Sequence, residues 1–220
     1  MARLVDSVRD DIRDFLEKNN ELLFNERDLQ MQLAIWLRRS AQGYEDVDLE
    51  YYVPRAELAE YVWESELRLD IVVRRGGEFL PVELKYKTRS ITRRMERFGE
   101  TLRTAAVVVK NQGAQDLGRY DFWKDVRRME LIRKRFAAVR NGLALFLTND
   151  PTYLRAAKES SNHKALSMAE GIHDRKKEWQ DKESACARGH PDFEVEFPYA
   201  IEWQTTRIDN ESFHYCILQI

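Results

Sequence analysis

The stretch LRLDIVVRRGGEFLPVELKYKT, residues 67–88, restricts the fold of this chain more than any other segment. Two apolar runs of strand length flank the Gly76–Gly77 pair, and this combination predicts a β-hairpin with a two-residue turn. Each run carries one acidic residue inside its apolar part, Asp70 in the first run and Glu83 in the second. A hairpin built this way brings two carboxyl groups to positions that a hydrophobic core would normally fill.

Counting outward from the Gly pair predicts how the two strands align. Arg75 pairs with Glu78, Val73 with Leu80, and Asp70 with Glu83, so the two acids share a face. Because side chains alternate along a strand, Lys85 lies on that face too. We expect the other face to be core; it carries Leu69, Ile71, Val73, Val82, Leu84 and Tyr86. Pro81 has no N–H group, and a bulge there would shift the register by one residue.

Two opposed carboxylates repel each other, and a divalent cation between them reverses that repulsion. Hard oxygen ligands suit Mg²⁺ or Mn²⁺, and the ammonium group of Lys85 would then stabilise negative charge on a phosphate. The alternative is a solvent-exposed face of mutually compensating charges. Its members would be Arg68, Asp70, Glu83, Lys85 and Lys87. The spacing alone does not separate these two interpretations.

The rest of the chain predicts an α/β protein. Helical periodicity is present in residues 3–17, in the segment that follows Asn25, and in residues 114–138. Strand patterns occur in DVDLEYYVP, TAAVVVK, GLALFLTND and FHYCILQI. Residues 55–66 fit a short helix or a loop. Residues 155–192 are polar and weakly periodic, and we interpret them as a mobile helical insertion.

Composition places limits on the class of protein. The length of 220 residues suits a single domain, 1–220, and the net charge of −2 gives no overall attraction to nucleic acid. The two cysteines favour a reducing compartment over a disulfide framework. The first residues lack the apolar stretch of a signal peptide, and no run approaches the roughly 20 apolar residues of a membrane span. We therefore expect a cytoplasmic protein without a membrane partner.

The motifs LRLD and PVELK, together with a preceding helix that carries Glu26 in NERDLQ, resemble the PD-(D/E)XK nuclease superfamily. The order of helix, three strands, helix and strand over residues 20–150 is similar to the core of that family. The resemblance implies a restriction-endonuclease-like fold, αβββαβ, with a mixed central β-sheet flanked by helices. The final strand, 213–220, and the helical insertion would be additions to that core. The segment KNQGAQDLGRYDFWKDVRRME also looks like uncharacterised bacterial members.

The resemblance assigns a role to each candidate residue. It implies that Asp70 and Glu83 are ligands of Mg²⁺ (or Mn²⁺) and that Lys85 is the catalytic lysine. Glu26 would contact the metal ligands or bind a second metal, although an acid in a first helical turn is also favoured by the helix dipole alone. The chain departs from the family pattern in having Leu69, not proline, before Asp70. It also lacks the Gln-x-x-x-Tyr motif of some branches.

The expected substrate is nucleic acid, with DNA favoured over RNA. A locally basic segment that follows the hairpin would contact phosphates through Lys87, Arg89, Arg93, Arg94 and Arg97. The alternative for these side chains is a solvated surface on which they pair with nearby acids. The function implied is that of a metal-dependent nuclease. The alternative is a catalytically inactive member of the same fold that binds nucleic acid or a protein partner. Whether the chain forms a homodimer stays open.

Overall fold

The structure, a computed structural model, describes residues 2–220 and begins with two helices. Helix α1 spans Leu4–Lys18 and helix α2 spans Glu26–Arg39, as predicted. The side chain of Asn25 accepts a hydrogen bond from the backbone N–H of Asp28 at 3.0 Å, which satisfies one of the free donors at the start of α2. Glu26 therefore occupies the first turn of a capped helix.

The first half of the chain after α2 consists mainly of strands. In chain order these are β1 (Asp46–Val53), β2 (Leu67–Arg75), β3 (Glu78–Lys87), β4 (Ile91–Arg93), β5 (Glu96–Arg97), β6 (Glu100–Thr101) and β7 (Ala106–Val109). The segment between β1 and β2, which the sequence left open, is a loop with a short 3₁₀ helix at Arg55–Glu57.

The second half begins with the long helix α3, Gln115–Arg135, and the buried strand β8, Leu143–Thr148. A region of short elements follows, and two paired strands close the chain. These elements are a 3₁₀ helix (Lys164–Leu166), β9 (Gly171–His173), β10 (Lys176–Lys177), α4 (Ala185–Gly189), β11 (Phe193–Glu194), β12 (Tyr199–Ile201), β13 (Gln204–Ile208) and β14 (Glu211–Gln219).

Six strands form the central sheet in the order β1-β2-β3-β8-β14-β13. Strands β3 and β8 run parallel, and every other neighbouring pair is antiparallel, so the sheet is mixed. A parallel pair needs a crossover connection, which here contains α3. All six residues of β8 are buried, as an apolar strand in the middle of a sheet requires. The prediction of an α/β protein with a mixed central sheet is confirmed.

Helices cover both faces of this sheet. Helices α1 and α2 pack on one face with Leu145 of β8, whereas α3 packs on the other face with Phe146. The two neighbouring residues of β8 point into different clusters because side chains alternate along a strand. Among residues 2–220, no helix combines the length and the apolar composition needed to span a bilayer.

One prediction about secondary elements needs correction. Residues 155–192 do not form a helical insertion: they contain one 3₁₀ turn, two short strands and the five-residue helix α4. Their apolar residues are too widely spaced for a helical stripe, and Leu166, Met168 and Trp179 are instead buried singly against the cluster around α3. Strand β7 exists as predicted, but it pairs with β4 in a separate two-stranded ribbon.

Lys177 is an unusual core residue of this region. Its side chain is 1% exposed, and its Nζ lies 3.6 Å from the centroid of the Trp123 ring. Within residues 2–220 the ammonium group has no hydrogen-bond partner. Burial lowers the pKa of Lys177 to about 7, because the charged form is poorly solvated there.

Replacing Lys177 with methionine should raise the thermal stability of the protein, because methionine fills similar space without a buried charge. The wild type releases the Lys177 proton near pH 7 when folded but only near pH 10 when unfolded, so its stability rises between those values. The gain from methionine should be about 1–3 kcal/mol below pH 7 and should shrink toward pH 10. Thermal unfolding at both ends of this range measures it, with the exposed neighbour Lys176→Met as control. An equal gain at both ends would contradict the assignment.

Candidate active site around Asp70, Glu83 and Lys85

The register of the β2–β3 hairpin is the predicted one. Pairs run from Arg75 with Glu78 to Ile71 with Val82 without a shift, and Pro81 lies opposite Val72. The nitrogen of Pro81 points away from β2, on the side where Phe79 N–H donates to the carbonyl of Ala138. Strand β8 does not pair with β3 before Val82, so the missing N–H of Pro81 leaves no gap in either ladder. Pro81 therefore causes no bulge and no shift of the register.

The hairpin changes character at Asp70. One ladder hydrogen bond is replaced there, because Asp70 Oδ2 accepts the backbone N–H of Leu84 at 2.7 Å. The carboxyl groups of Asp70 and Glu83 also lie close enough to shift each other's pKa. Continuing the register one residue beyond the Ile71–Val82 pair places the two acids opposite each other. The convergence of the two acids is thus a consequence of the strand alignment, reinforced by the backbone bond of Asp70.

The alternation of side chains in β2 also changes at Asp70. Ile71 packs in the cluster beneath α1 and α2, as predicted, but Leu69 packs with Leu131 and Ile132 of α3. The expectation that Leu69 and Ile71 share a core face is therefore wrong. A strand that switches faces at one residue is locally distorted, and the distortion here coincides with the first acid of the candidate site.

The neighbouring strand is distorted at the same level. Glu50 of β1 lies beside Asp70 and has φ +53°, an uncommon value for a residue other than glycine. The side-chain amide of Gln30 in α2 donates to the backbone oxygen of Asp70 at 2.8 Å and to Glu50 Oε1 at 3.0 Å. One helical side chain therefore braces both irregular positions.

Glu83 is a deeply buried acid of the site. The residue is 4% exposed, and Oε1 has no hydrogen-bond partner among the described residues. Burial and the nearby carboxylates of Asp125 and Asp70 raise the pKa of Glu83 well above its usual range. Burial also raises the pKa of Asp70 to about 6, although Lys85 opposes this effect. The surroundings therefore do not stabilise both carboxyl groups in their charged form.

Lys85 faces the same side of the sheet and pairs with an acid from α3. Its Nζ lies 2.6 Å from Asp125 Oδ2 and donates to the carbonyl of Leu84 at 3.1 Å. Although burial lowers the pKa of Lys85, the surrounding carboxylates, Asp125 foremost, raise it above its usual value. The side chain keeps 16% of its exposure, so solvent reaches it. Lys85 is therefore a positively charged, partly buried group of the site.

These contacts contradict the alternative of a solvent-exposed face of compensating charges. Glu83 is buried, Lys85 pairs with Asp125, and Arg68 is exposed and stacks over the ring of Tyr52 at 5.2 Å. Asp125 also forms an ion pair with Arg128, whose Nη1 lies 3.3 Å from Asp125 Oδ1. Three buried or half-buried acids thus face two cations, so the protein's own cations do not balance all three acids in their charged form.

Glu26 lies at the edge of this site, where its carboxylate binds the backbone of β3. Its Oε2 accepts the backbone N–H of Tyr86 at 2.8 Å, which ties the start of α2 to β3. The carboxylate is close enough to Lys85 to favour the charged ammonium. Its role as a contact of the metal ligands, or as a ligand of a second metal, stays a prediction.

The fit of a divalent cation can be judged from the donor set. Within residues 2–220, no group of three or more His, Cys, Asp or Glu side chains is arranged to hold a metal ion. Mg²⁺, however, is commonly held by only one or two carboxylates together with water and substrate phosphates. Asp70 and Glu83 supply that number of hard oxygen ligands, and the buried Glu83 Oε1 still lacks a partner. The two acids therefore fit a Mg²⁺ site that substrate and water complete.

The basic residues after the hairpin divide into two groups. Arg89 pairs with Asp150 at 3.0 Å, and Arg93 pairs with both Asp209 and Glu211. Lys87, Arg94 and Arg97 form no ion pair within residues 2–220; Lys87 is half-buried, and Arg94 and Arg97 are exposed. Contact of all five residues with phosphates stays a prediction. The structure leaves Lys87, Arg94 and Arg97 without an ion-pair partner, although Arg97 donates to the carbonyl of Glu96.

Sequence reasoning missed Asp125 and Gln30. Asp125 had a visible signal, because it lies within the apolar stripe of α3 between Phe122 and Met129, where a solvated acid is not expected. Gln30 had a weaker signal: it lies next to Leu29 on the inner face of α2 and is 7% exposed. Both residues lie inside segments quoted for the family resemblance, Gln30 in NERDLQ and Asp125 in KNQGAQDLGRYDFWKDVRRME, but neither was assigned a role there.

Replacing Asp125 with asparagine should lower the free energy of unfolding by about 2–4 kcal/mol, because Lys85 and Arg128 both lose their charged partner in a buried setting. Asp121→Asn on the same helix is the matched control. Asp121 is partly exposed, and its ion pair with Lys124 is long, at 3.6 Å. The control should change stability by less than about 0.5 kcal/mol. Urea unfolding measures both variants, and equal small effects would refute the inferred network.

Comparison with known proteins found no relative of this chain. No protein-family model, no curated protein and no solved structure matches this chain. What the structure establishes is an α/β fold with a mixed six-stranded sheet and a charged, partly buried site at the position where β2 and β3 part.

Proposed function

We propose that the protein is a metal-dependent nuclease that hydrolyses phosphodiester bonds in nucleic acid, with DNA favoured over RNA. The observation that carries this proposal is the convergence of Asp70 and Glu83, with Lys85 beside them, in a buried setting that does not stabilise both carboxyl groups in their charged form. A cation bound between them would stabilise both charged carboxylates. The order α2, β1, β2, β3, α3, β8 is consistent with a restriction-endonuclease-like fold of the PD-(D/E)XK type.

Asp70 and Glu83 would hold the Mg²⁺ ion (or Mn²⁺). When bound, the ion supplies positive charge that neutralises a phosphate and lowers the pKa of water. The backbone bond from Leu84 to Asp70 and the brace from Gln30 fix the first acid in position before substrate arrives. Preorganised ligands of this kind reduce the reorganisation that catalysis requires.

Lys85 would act as a cation and not as a base. Its pKa is raised, so the ammonium group stays protonated at neutral pH. Its Nζ forms an ion pair with Asp125 and donates to the carbonyl of Leu84. An ammonium group has three donors, so Lys85 would also be able to bind a phosphate oxygen. Lys85 would therefore stabilise the charge that develops during cleavage.

A second candidate function is binding of nucleic acid without cleavage. The contact that favours it is the 2.6 Å pair between Lys85 and Asp125, which already neutralises the lysine. A nucleic-acid-binding module would need no divalent cation at the hairpin. Its binding would depend on salt but not on metal.

Cleavage assays separate the two candidates. Labelled DNA and RNA are incubated with wild type or Asp70→Asn, in Mg²⁺, in Mn²⁺ or in EDTA. The nuclease proposal predicts cleavage by wild type in either metal, and none in EDTA or by the variant. Equal cleavage by both proteins would indicate contamination and remove the site assignment. Salt-sensitive binding without cleavage in any metal would favour the binding module.

A further inference from the structure

The segment 91–109, here called the arm, contains the most exposed apolar side chain of the described chain. The arm consists of the β4–β7 ribbon and, at its end, the β5–β6 hairpin. Only its two ends are buried: Ile91 and Val109 belong to the core beneath α1 and α2. Phe98 lies at the far end of the hairpin, fully exposed to solvent.

The position of Phe98 is costly for folding. Arg97 pairs with Glu100, so Phe98 and Gly99 are the two central residues of the turn, with φ +55° and +81°. Turns with two positive φ values strongly prefer Asn-Gly, and a bulky residue at the first position is strained. Asparagine would therefore suit the backbone better. Folding gives no reason for an aromatic side chain here.

Ion pairs and a cation–π contact tie the arm to the body of the protein. Arg93 pairs with Asp209, in the turn between β13 and β14, and with Glu211 at the start of β14. Arg97 lies over the ring of Phe24, with its guanidinium carbon 5.6 Å from the ring centroid. Phe24 precedes the capped start of α2, whose Glu26 binds β3 next to Lys85. The contact with Phe24 therefore links the arm to the helix that carries Glu26.

The arm carries four arginines and two glutamates, Glu96 and Glu100, and this net positive charge favours a polyanion. Arg94, Arg97 and Arg103 are exposed and form no ion pair within residues 2–220. Together with an exposed aromatic ring they form the combination that binds single-stranded nucleic acid, in which cations contact the backbone and a ring stacks on a base. In a duplex the faces of the bases are already stacked and are not accessible to Phe98.

We propose that the arm binds single-stranded nucleic acid, with Phe98 stacked on an unpaired base and Arg94, Arg97 and Arg103 on phosphates. This inference rests on the proposed function in so far as it assigns the nuclease a substrate with unpaired nucleotides. The binding step itself needs neither metal nor cleavage. It can therefore be tested separately.

The test is fluorescence anisotropy of labelled single-stranded DNA, single-stranded RNA and duplex DNA in EDTA, for wild type and Phe98→Asn. Because asparagine suits the turn, this variant should unfold at the same temperature as wild type or slightly higher. We expect its affinity for single strands to fall by about 5- to 150-fold, the range of one base–aromatic stack, with little change for duplex. Phe98→Trp should restore binding. Ile172→Asn, which removes another exposed apolar residue from β9, should have no effect.

Several results would overturn the inference: no single-strand binding by wild type at low salt, equal binding by Phe98→Asn, or an equal loss with Ile172→Asn. Binding of vesicles with anionic lipid that depends on Phe98, without single-strand binding, would assign the arm to membranes instead. The proposed function fails independently. Phe98-dependent binding without metal-dependent cleavage would support single-strand binding by the arm and contradict the proposed nuclease activity. Metal-dependent cleavage with unchanged binding by Phe98→Asn would support the nuclease activity and contradict the role of the arm.

Discussion

Replacing Glu83 with glutamine should raise the thermal stability of the metal-free protein and abolish metal-dependent cleavage. The carboxyl group of Glu83 is buried, and burial together with Asp125 and Asp70 raises its pKa well above the usual range. Glutamine keeps the shape, carries no charge, and donates hydrogen bonds to the neighbouring carboxylates. The gain should be about 1–3 kcal/mol at neutral pH, or roughly 3–10 °C in Tm for a chain of this size.

The gain should depend on pH in a defined direction. Below about pH 4, Glu83 is protonated in both the folded and the unfolded protein, so the substitution changes little. As pH rises, the unfolded chain loses the proton while the folded protein retains it, and wild-type stability falls. The difference between variant and wild type therefore grows with pH. Thermal unfolding in EDTA from acidic to neutral pH measures it, with Glu78→Gln at the exposed end of the hairpin as control. A gain that is constant with pH would contradict the assigned environment of Glu83.

Replacing Lys85 with methionine should lower the rate of cleavage by about 10²–10³-fold, the usual effect of removing one donor that stabilises charge in the transition state. Methionine has a similar length, so the site should keep its shape. Affinity for Mg²⁺ should persist or increase, because the substitution removes a positive charge beside Asp70 and Glu83. The expected pattern is a lower kcat with metal binding retained.

Lys87→Met is the matched control for this variant. Lys87 lies on the same strand, two residues further along the same face, and forms no ion pair within residues 2–220. Because Lys87 is itself a predicted phosphate contact, Lys87→Met should weaken substrate binding but keep the single-turnover rate at saturating substrate. Single-turnover cleavage and metal titration therefore distinguish the two residues. If Lys87→Met reduced cleavage as strongly as Lys85→Met, general loss of positive charge would explain both results, and a specific role of Lys85 would be withdrawn.

Local sequence signals predicted the hairpin and its register. The Gly76–Gly77 turn fixed the alignment, and the pairs on both sides of Pro81 follow it. The capped start of α2 and the apolar strand β8 were equally visible, because a capping residue and a continuous apolar run are properties of neighbouring residues. Predictions that rested on residues adjacent in sequence were therefore the reliable ones.

The parts that sequence reasoning missed depend on contacts between distant segments. Asp125 meets Lys85 only because α3 crosses the face of β3, and Gln30 reaches Asp70 from α2. The switch of Leu69 to the opposite face follows from the distortion at Asp70, which strict alternation along a strand does not anticipate. Residues 155–192 were misjudged because isolated apolar side chains such as Trp179 anchor irregular backbone without any periodic pattern.

The role of Asp70 and Glu83 as one cation site is the central claim, and calorimetric titration of Mn²⁺ tests it most directly. Wild type, Glu83→Gln and Glu78→Gln are titrated at neutral pH, alone and with a non-cleavable phosphodiester oligonucleotide. We predict one Mn²⁺ bound per chain in wild type and in Glu78→Gln, strengthened by the oligonucleotide, and loss of that binding in Glu83→Gln. Equal binding by all three proteins, or no binding by wild type even with the oligonucleotide, would contradict the cation site.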